Sequence, residues 1–395
     1  MELKQRIFEL ADKIYPETID IRRHIHQNPE LSFEEFQTSA FICSKLREWG
    51  IEYKNSIVST GIIGYIRGKN PEAKLLALRA DIDALPIVEE NNVPYKSINN
   101  GVMHACGHDV HTASLLGTAK ILNELRGEFE GTIMLIFQPG EEKLPGGAKL
   151  MLEEGIFNDR EPDMVIAQHV LPTMDAGYVG FKPGIYMASC DELFITVKGK
   201  GGHGAMPHQI TDTVLASAHL IVALQQVVSR FAEASVPSVL SIGKVIANGA
   251  TNVIPSEVYM EGTFRTMNET WRMQAHEKMK HLAENLVAGM GAEVDFRIEK
   301  GYPVLVNNEN ITRLAKKYAS QLLGDEKVID LDIRMTAEDF AYFTQKYPCT
   351  FYRLGVKTKD VPSVALHSST FNVDEQALKT GISLMAWLSC SFLNS

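Results

Sequence analysis

The sequence predicts an α/β protein in which a mostly parallel sheet is flanked by helices and a ferredoxin-like α+β domain is inserted. Three observations predict this fold. Short, continuously apolar segments alternate with helical segments over roughly the first 180 residues, as in parallel sheets that helices cover on both faces. From about residue 190 the predicted order becomes β-α-β-β-α-β, the ferredoxin-like arrangement. The chain of 395 residues is also longer than one ordinary core organises.

The first helices are predicted from apolar periodicity and from end signals. Apolar residues recur at helical spacing from Leu3 to Ile14, and Pro16 is expected to interrupt this helix. Ser32 and Glu35 have the spacing of a capping box, so both side chains are expected to cap the start of the next helix.

The predicted strands of the first domain end in polar residues. Strands are predicted at residues 57–66, 75–78, 131–137 and 164–167, and a helix is predicted at residues 109–125. In open parallel sheets, ligands bind beyond the carboxyl ends of the strands. The first domain is therefore expected to carry a site at that edge of its sheet.

The second domain is expected to be an insertion into the first. The predicted boundaries are 1–185 and 300–395 for a discontinuous catalytic domain that binds metal, and 186–299 for the inserted domain. The elements predicted within the insertion are strands at 193–198, 239–246, 258–264 and 293–298, with helices at 212–230 and 271–290.

Composition argues against several classes of protein. Acidic residues outnumber basic ones, 49 to 39, and no basic run is present, so a nucleic-acid partner is not expected. The five cysteines are scattered and form no CxxC pair, which indicates a reducing compartment and so the cytoplasm. The N-terminal segment is not a signal peptide, and we expect no membrane span because no window of about 18 apolar residues is evident.

Residues 103–111, Met-His-Ala-Cys-Gly-His-Asp-Val-His, contain the densest group of metal-ligand types in the chain. Cys106 and His108 can face one metal ion around Gly107, because thiolate and imidazole are ligands that zinc prefers. His104 and His111 are expected instead to be structural, to support a ligand or to face substrate.

Two adjacent acidic residues, Glu141 and Glu142, follow the predicted strand at 131–137 in a tight turn. Neighbouring side chains of an extended segment point in different directions, so one carboxylate can bind metal while the other faces a water molecule. Hydrolysis needs both a metal that lowers the pKa of water toward about 7 and a carboxylate that carries its proton. The pair therefore predicts a metal-dependent hydrolase.

Further candidates could complete the coordination shell. His169 follows a predicted strand and His367 comes late in the chain, and either could bind metal. Asp81 and Asp83 also follow a strand, and we expect Asp83 to orient a ligand imidazole through the other ring nitrogen. A thiolate and imidazoles suit zinc, whereas carboxylates also tolerate manganese or cobalt.

The inserted domain contributes three polar candidates. His203 lies in a glycine-rich loop that, as a lid, could bring the imidazole to a developing oxyanion. Arg265 could form a forked contact with a substrate carboxylate. Asn252, in the segment Thr-Asn-Val-Ile-Pro, is the third.

Seven motifs in this order resemble the amidohydrolase branch of the aminoacylase and carboxypeptidase-G metallopeptidases. That branch includes hippurate hydrolases, indole-acetyl-amino-acid hydrolases and N-acetyl-diaminopimelate deacetylases. The motifs are MHACGHDVH, QPGEE, QHV, GKGGHGAMPH, TNVIP, GTFRT and TAEDFAYF, and the similarity runs from about Arg22 to Phe371. The wider family usually has His-x-Asp where this chain has Asp81-Ile-Asp83, and it commonly has a proline where this chain has Ser369.

The resemblance implies a zinc-peptidase-like domain with two divalent metal ions and an inserted lid that usually forms a homodimer. It implies Glu141 as general acid/base, and His203 and Asn252, often from the partner subunit's lid, at the scissile carbonyl or the substrate carboxylate. It implies Arg265 as a substrate-binding residue. The metal ligands that it implies are Cys106, His108, Glu142, His169 and His367.

The function that the sequence predicts is hydrolysis of N-acyl-amino acids by a cytoplasmic, metal-dependent amidase. A dipeptidase or aminopeptidase that uses the same metal site is one alternative. A non-catalytic protein that binds an amino-acid derivative is another, and a purely structural zinc site is a third. A structural zinc shell is usually closed by four ligands and needs no adjacent base.

Overall fold

The computed structural model describes residues 2–395, so the first residue of the predicted 1–185 segment lies outside the described part. The chain forms two compact units. The first runs up to Gly184 and includes Val306–Asp332 and Asp339–Ser395, and the second comprises Ile185–Leu305 and Ile333–Glu338. The assignment of these units to catalysis and to dimerisation remains a prediction.

The helices have the following bounds: α1 Leu3–Gln27, α2 Phe36–Glu48, α3 His108–Glu124, α4 Gly147–Glu154, α5 Thr213–Gln226, α6 Glu269–Gly289, α7 Glu309–Leu323, α8 Ala341–Thr344 and α9 Gln376–Leu393.

The strands have the following bounds: β1 Glu52–Ile57, β2 Gly61–Arg67, β3 Leu75–Asp81, β4 Thr132–Gln138, β5 Met164–Asp175, β6 Val179–Phe181, β7 Gly184–Met187, β8 Ser189–Lys198, β9 Gly202–His203, β10 Ser238–Ile246, β11 Val253–Ile254, β12 Glu257–Thr266, β13 Glu293–Lys300, β14 Leu305–Asn307, β15 Val328–Asp330 and β16 Cys349–Lys357.

The first unit contains an eight-stranded sheet in the order β1-β2-β4-β3-β5-β16-β6-β15. The central strands β4, β3, β5 and β16 pair in parallel, whereas β1 and β2 pair antiparallel at one edge. Every residue of β3 and β4 is buried, as expected for parallel strands with both faces covered. Helices α1, α3 and α9 pack on one another, and α3 and α9 pack on the sheet. The predicted α/β fold with a mostly parallel sheet is confirmed.

The second unit contains a four-stranded antiparallel sheet in the order β10-β12-β8-β13, with α5 and α6 packed against it. Leu193, Leu220, Phe264 and Met279 belong to its separate buried core. Chain order and sheet order together give the predicted ferredoxin-like arrangement.

The prediction that Pro16 interrupts the first helix is wrong, because α1 continues through that residue. Proline in a helix interior costs about 3 kcal/mol or more, since it removes one hydrogen bond and crowds the preceding turn. Pro16 lies on the exposed side of α1. The opposite side, which includes Ile7, Ile14 and Ile21, is buried in the core, and this burial offsets the cost.

The predicted capping box is also wrong. Glu35 occupies the N-cap position of α2, but its side chain accepts no capping hydrogen bond. The carboxylate of Glu30 takes that role and accepts the N–H groups of Gln37 and Thr38 at 3.1 and 2.8 Å. Ser32 donates its hydroxyl to Asp83 instead. The two predicted capping residues therefore make contacts away from the helix.

One segment, Thr213–Phe231, is long and apolar enough to cross a membrane by length and composition, although none was evident in the sequence. It comprises α5 and the turn of π-helix that follows. Ala216, Leu220 and Leu224 on this segment are buried in the core of the second unit. The apolar window of the segment is 28% buried, and its length and composition alone do not identify a membrane span.

Candidate metal centre

Cys106 and His108 lie at the N-terminus of α3, where the backbone turns sharply at Gly107. Gly107 has a φ of 87°, and a Cβ atom there would lie 2.6 Å from Cγ2 of Val170. Only glycine fits both the left-handed backbone and the close approach. The turn therefore packs the start of α3 against β5, the strand that carries His169.

His169 lies within β5, which extends to Asp175 and is longer than predicted. The Nδ1 atom of its imidazole lies 2.8 Å from the carbonyl oxygen of Val170, a contact that places the ring proton on Nδ1. The Nε2 atom lies 3.5 Å from the Sγ atom of Cys106. A lone pair of the imidazole therefore faces the thiol.

Glu142 and His367 approach the same thiol from other parts of the chain. The Oε1 atom of Glu142 lies 3.3 Å from Nε2 of His367 and 3.9 Å from Nε2 of His108. The side chain of His367 is 52% exposed. Its backbone has a left-handed φ of 63°, and its backbone N–H donates to the carbonyl of Ala105. This hydrogen bond brings a late loop of the chain beside the residues that precede α3.

The five predicted ligands thus form overlapping groups that share Cys106. Ligating atoms of Cys106, His108 and His169 lie within 4.8 Å of one another, as do those of Cys106, Glu142 and His367. Within residues 2–395, the buried Nε2 atom of His108 and the buried Oε1 atom of Glu142 have no hydrogen-bond partner. Buried polar atoms without partners are costly, and a cation between them would remove that cost.

Two of these groups are held in their neutral forms by burial, whereas at His108 burial is outweighed by the Asp81 carboxylate, which raises the pKa well above its usual range. Burial lowers the pKa of His169 well below its usual range, and the nearby Arg353 guanidinium adds to this effect, so the imidazole is neutral. Burial raises the pKa of the Cys106 thiol well above its usual range, and the Glu142 carboxylate adds to the rise. The thiol therefore needs a cation beside it to lose its proton near neutral pH.

Asp83 contacts two of the predicted ligands, His108 and Glu142. Its Oδ1 atom lies 3.1 Å from Nδ1 of His108, which leaves Nε2 of that ring facing the cluster. Its Oδ2 atom accepts the N–H of Glu142 at 2.9 Å and the hydroxyl of Ser32 at 2.6 Å. Burial alone would raise the pKa of Asp83, but the hydrogen bond and charge of His108 outweigh burial and lower it.

His111 lies close to both His108 and His169, and no single defined role was predicted for it from the sequence. Its Nε2 atom accepts the N–H of Val170 at 2.9 Å, so Nδ1 carries the proton and donates to Oδ1 of Asp81 at 2.5 Å. Its ring centroid lies 4.6 Å from that of His169 and 5.3 Å from that of His108. His111 therefore ties α3 to the strands β3 and β5.

A buried ionic network extends from Asp81 and was missed by the sequence analysis. Arg79 is fully buried and donates to Asp81, Asp339 and Gln138, in each case at 2.8 Å. Asp339 in turn donates its backbone N–H to Oε1 of Glu141 at 3.4 Å. Because Arg79 and Asp339 are 260 positions apart, no local pattern reveals the pair. The only feature of the sequence that pointed to Asp339 was its place in the motif Thr-Ala-Glu-Asp-Phe.

Glu141 itself is 7% exposed and belongs to a group with His108 and Glu142 whose ligating atoms lie within 4.8 Å of one another. His104 is also buried, and neither of its ring nitrogens has a hydrogen-bond partner within residues 2–395. Burial lowers the pKa of His104 to about 4, so its ring is neutral at physiological pH.

The other three predicted site residues lie in the second unit. His203 and Asn252 are exposed neighbours at the two-stranded sheet of β9 and β11, where the N–H of Gly204 donates to the carbonyl of Asn252 at 2.8 Å. Arg265 lies on β12, is half-buried and donates to the carbonyl of Met335 at 3.2 Å. Their roles toward substrate remain predictions.

The mostly parallel sheet and the cluster of metal-ligand types beside Glu141 together define the class of a metal-dependent hydrolase. Comparison with known proteins identifies the family. Residues 77–389 match Peptidase family M20/M25/M40. The chain therefore belongs to this family, whose members include metal-dependent amidohydrolases and peptidases.

Relatives of known name agree with this assignment. The chain is 41% identical over 304 residues to an N-acyl-L-amino acid amidohydrolase of Geobacillus stearothermophilus, covering 77% of this chain and 81% of the relative. It is 38% identical over 398 residues to thermostable carboxypeptidase 2 of Saccharolobus solfataricus, covering 100% and 98%. Its structure resembles the crystal structure of the Bacillus subtilis YXEP protein, a dinuclear metal-binding peptidase of the M20 family. The TM-score is 0.83 at 35% identity, over 97% of this chain and 99% of that one.

Proposed function

We propose that this enzyme hydrolyses the amide bond of N-acyl-amino acids and releases a carboxylic acid and a free amino acid. The observation that carries the proposal is the convergence of Cys106, His108, Glu142, His169 and His367 beside the buried carboxylate of Glu141. The name of the Geobacillus amidohydrolase supports the substrate class.

In this proposal the five converging residues hold two divalent metal ions, and Glu141 carries protons. Bound there, the metal ions would lower the pKa of water and polarise the substrate carbonyl. Glu141 accepts the proton of the attacking water and returns it to the nitrogen of the leaving amine. Asp83 keeps His108 in the tautomer whose Nε2 atom faces the cluster.

Residues of the second unit would supply the remaining contacts with substrate. His203 would stabilise the oxyanion that forms at the scissile carbonyl, because an imidazole N–H can donate to it. Asn252 and Arg265 would bind the carboxylate of the amino-acid portion, Arg265 through its planar fork of donors. Both His203 and Asn252 are exposed, as ligand-contacting residues are before substrate binds.

The decisive test of the role of Glu141 is the variant Glu141→Gln. Glutamine keeps the shape of the side chain but cannot carry the proton, so turnover should fall by roughly 100-fold to 10,000-fold. Metal content, measured by mass spectrometry, should stay at two ions per chain. Glu153→Gln on α4, whose parent side chain is 60% exposed, is the matched control and should be fully active. Comparable turnover by the Glu141→Gln variant would refute the role and favour a non-catalytic binding protein.

A peptidase activity at the same site is the second candidate, and the relative named a carboxypeptidase favours it. A carboxypeptidase also cleaves an amide whose nitrogen belongs to an amino acid with a free carboxylate. A panel of acetyl-, benzoyl- and indole-acetyl-amino acids, tested against free-amine dipeptides, separates the amidase from a peptidase that requires the free amine. Preference for N-blocked substrates supports the amidase, and a requirement for the free amine indicates an aminopeptidase or dipeptidase.

We also propose that the protein is a cytoplasmic homodimer that pairs through its second unit. Strand β10 is an edge strand that exposes Val245 and Ile246, and α5 exposes Val222, which is 72% accessible. Apolar residues on an open edge favour pairing with another chain. Light scattering should give twice the monomer mass, and Val222→Asp should lower the measured mass.

Reloading the metal-free enzyme with zinc, manganese or cobalt identifies the preferred metal.

A further inference from the structure

The carboxylate of Glu35 is fully buried and serves neither the helix that it begins nor an ion pair. Its Oε1 atom accepts the N–H of Gly140 at 2.9 Å, and its Oε2 atom accepts the hydroxyl of Thr60 at 2.6 Å. Within residues 2–395 no basic side chain pairs with it, while Glu30 supplies the capping contacts of α2. Burial and the nearby Asp83 carboxylate raise the pKa of Glu35 to about 7. A buried acid of this kind costs stability, which calls for a reason other than folding.

The residue two positions earlier, Phe33, contacts the same glycine with its ring. Phe33 has a left-handed φ of 68°, which is unfavourable for a bulky residue. Gly140 has a φ of 58°, and a Cβ atom on it would lie 2.3 Å from Cζ of Phe33. A strained residue, a buried acid and an obligatory glycine therefore meet at one point, and such strain collects at functional sites.

That point lies directly before Glu141 in the chain. On the other side of Glu141, the N–H of Glu142 donates to Oδ2 of Asp83 at 2.9 Å. The backbone on both sides of the proposed acid/base is thus held by carboxylates from distant segments, Glu35 on one side and Asp83 on the other. These two hydrogen bonds hold the backbone that carries the Glu141 side chain, whose Oε1 atom also accepts the N–H of Asp339.

We propose that Glu35 is a positioning residue, which holds the backbone N–H of Gly140 and thereby fixes the Glu141 carboxylate for proton transfer. This inference depends on the proposed acid/base role of Glu141. Asp83 alone cannot supply the same function, because it also orients His108, whereas Glu35 contacts none of the proposed metal ligands. A displacement of about 1 Å at a reacting group can cost 100-fold in rate.

The test compares Glu35→Ala, Glu35→Leu and Glu35→Gln in the metal-loaded enzyme. Alanine and leucine both remove the acceptor, and leucine keeps the volume of the side chain in case the alanine variant does not fold. Both should lower kcat by roughly 10- to 100-fold, with KM within about threefold and two metal ions retained. Glutamine should restore most of kcat, because its carbonyl can accept from Gly140 while its amide donates to Thr60. Glu34→Ala, at an exposed neighbouring position, should match the parent enzyme.

The inference is overturned if the folded leucine variant keeps the parent kcat. It is overturned equally if kcat falls only in proportion to lost metal, or if the glutamine variant is as slow as the leucine variant. Glu141→Gln, measured in parallel, separates this failure from failure of the proposed function. An active Glu141→Gln enzyme refutes the proposed function, whereas an inactive one beside fully active Glu35 variants refutes the Glu35 inference alone.

Discussion

The Nε2 atom of His169 lies 3.5 Å from the Sγ atom of Cys106, although 63 positions separate them in the chain. Gly107 makes this approach possible because any side chain there would collide with Val170, the residue after His169. His111 accepts the N–H of Val170 and so holds β5 in place. The thiol and the imidazole are therefore brought together by the contacts that Gly107 and His111 make with Val170.

The first prediction concerns the shared thiol. Cys106→Ser should lose at least one of two metal ions per chain and lower kcat by at least roughly 100-fold, because a hydroxyl is a far poorer ligand for zinc than a thiolate. Metal content by mass spectrometry and turnover on an N-acyl-amino acid measure the two effects. Cys43→Ser, at a buried thiol on α2, controls for loss of a buried sulfur and should retain both ions. Two tightly bound ions in Cys106→Ser would contradict the account.

The second prediction concerns His111. His111→Phe keeps the ring but leaves Asp81 and the N–H of Val170 without their partner, both at buried positions. Because Asp81 keeps its ion pair with Arg79, the loss of these two buried hydrogen bonds should lower the free energy of unfolding by about 2 to 3 kcal/mol. Metal affinity should also fall, by about 10- to 100-fold. Urea denaturation and metal titration measure these effects, with the exposed His219→Phe as control. Unchanged metal affinity would show that His111 does not support the ligands.

The third prediction is a pH dependence of stability that Glu35 causes in the metal-free protein. The folded state raises the pKa of Glu35 from its ordinary value of 4.5 to about 7, so between these pH values the folded protein binds more protons than the unfolded chain. Stability contributed by this group is therefore complete below about pH 4.5 and is lost as pH rises through about 7.

Glu35→Gln removes that titration. Its free energy of unfolding should exceed that of the parent by up to about 3 kcal/mol at pH 8, and the difference should shrink toward pH 5. Urea denaturation at the two pH values measures the difference, and Glu34→Gln should show none. A difference that is equal at pH 5 and pH 8 would mean that Glu35 does not titrate in this window. If replacing Glu35 makes the protein more stable, the native acid lowers stability, and such a cost supports a functional role for it.

Much of the fold could be predicted because the relevant signals are local. The apolar runs that became β3, β4 and β5, and the β-α-β-β-α-β order of the second unit, depend on periodicity within short windows. Errors arose where tertiary contacts outweigh a local rule. Pro16 remains inside α1 because the opposite face of that helix is buried, and Ser32 and Glu35 contact other segments in place of the α2 backbone.

The candidate site was predictable as a set of residue types but not as a network. Cys106, His108 and the Glu141-Glu142 pair could be selected because their chemistry and their places beside predicted elements agreed. Arg79 and Asp339 could not, because a single arginine and a single aspartate 260 positions apart carry no sign of contact until the sheet forms. Glu35 was assigned to a helix cap, since its spacing from Ser32 satisfied that rule as well.

The proposed two-metal site can be tested by the positions of metal ions in a crystal of the zinc-loaded enzyme, located by anomalous diffraction at the zinc edge. Two anomalous peaks per chain are expected. Both should lie near the Sγ atom of Cys106, at about 2.3 Å, with His108, His169, Glu142 or His367 supplying nitrogen or oxygen ligands at about 2.0 to 2.2 Å. Peaks elsewhere in the chain, or a single ion closed by four ligands with Glu141 turned away, would contradict the proposed site.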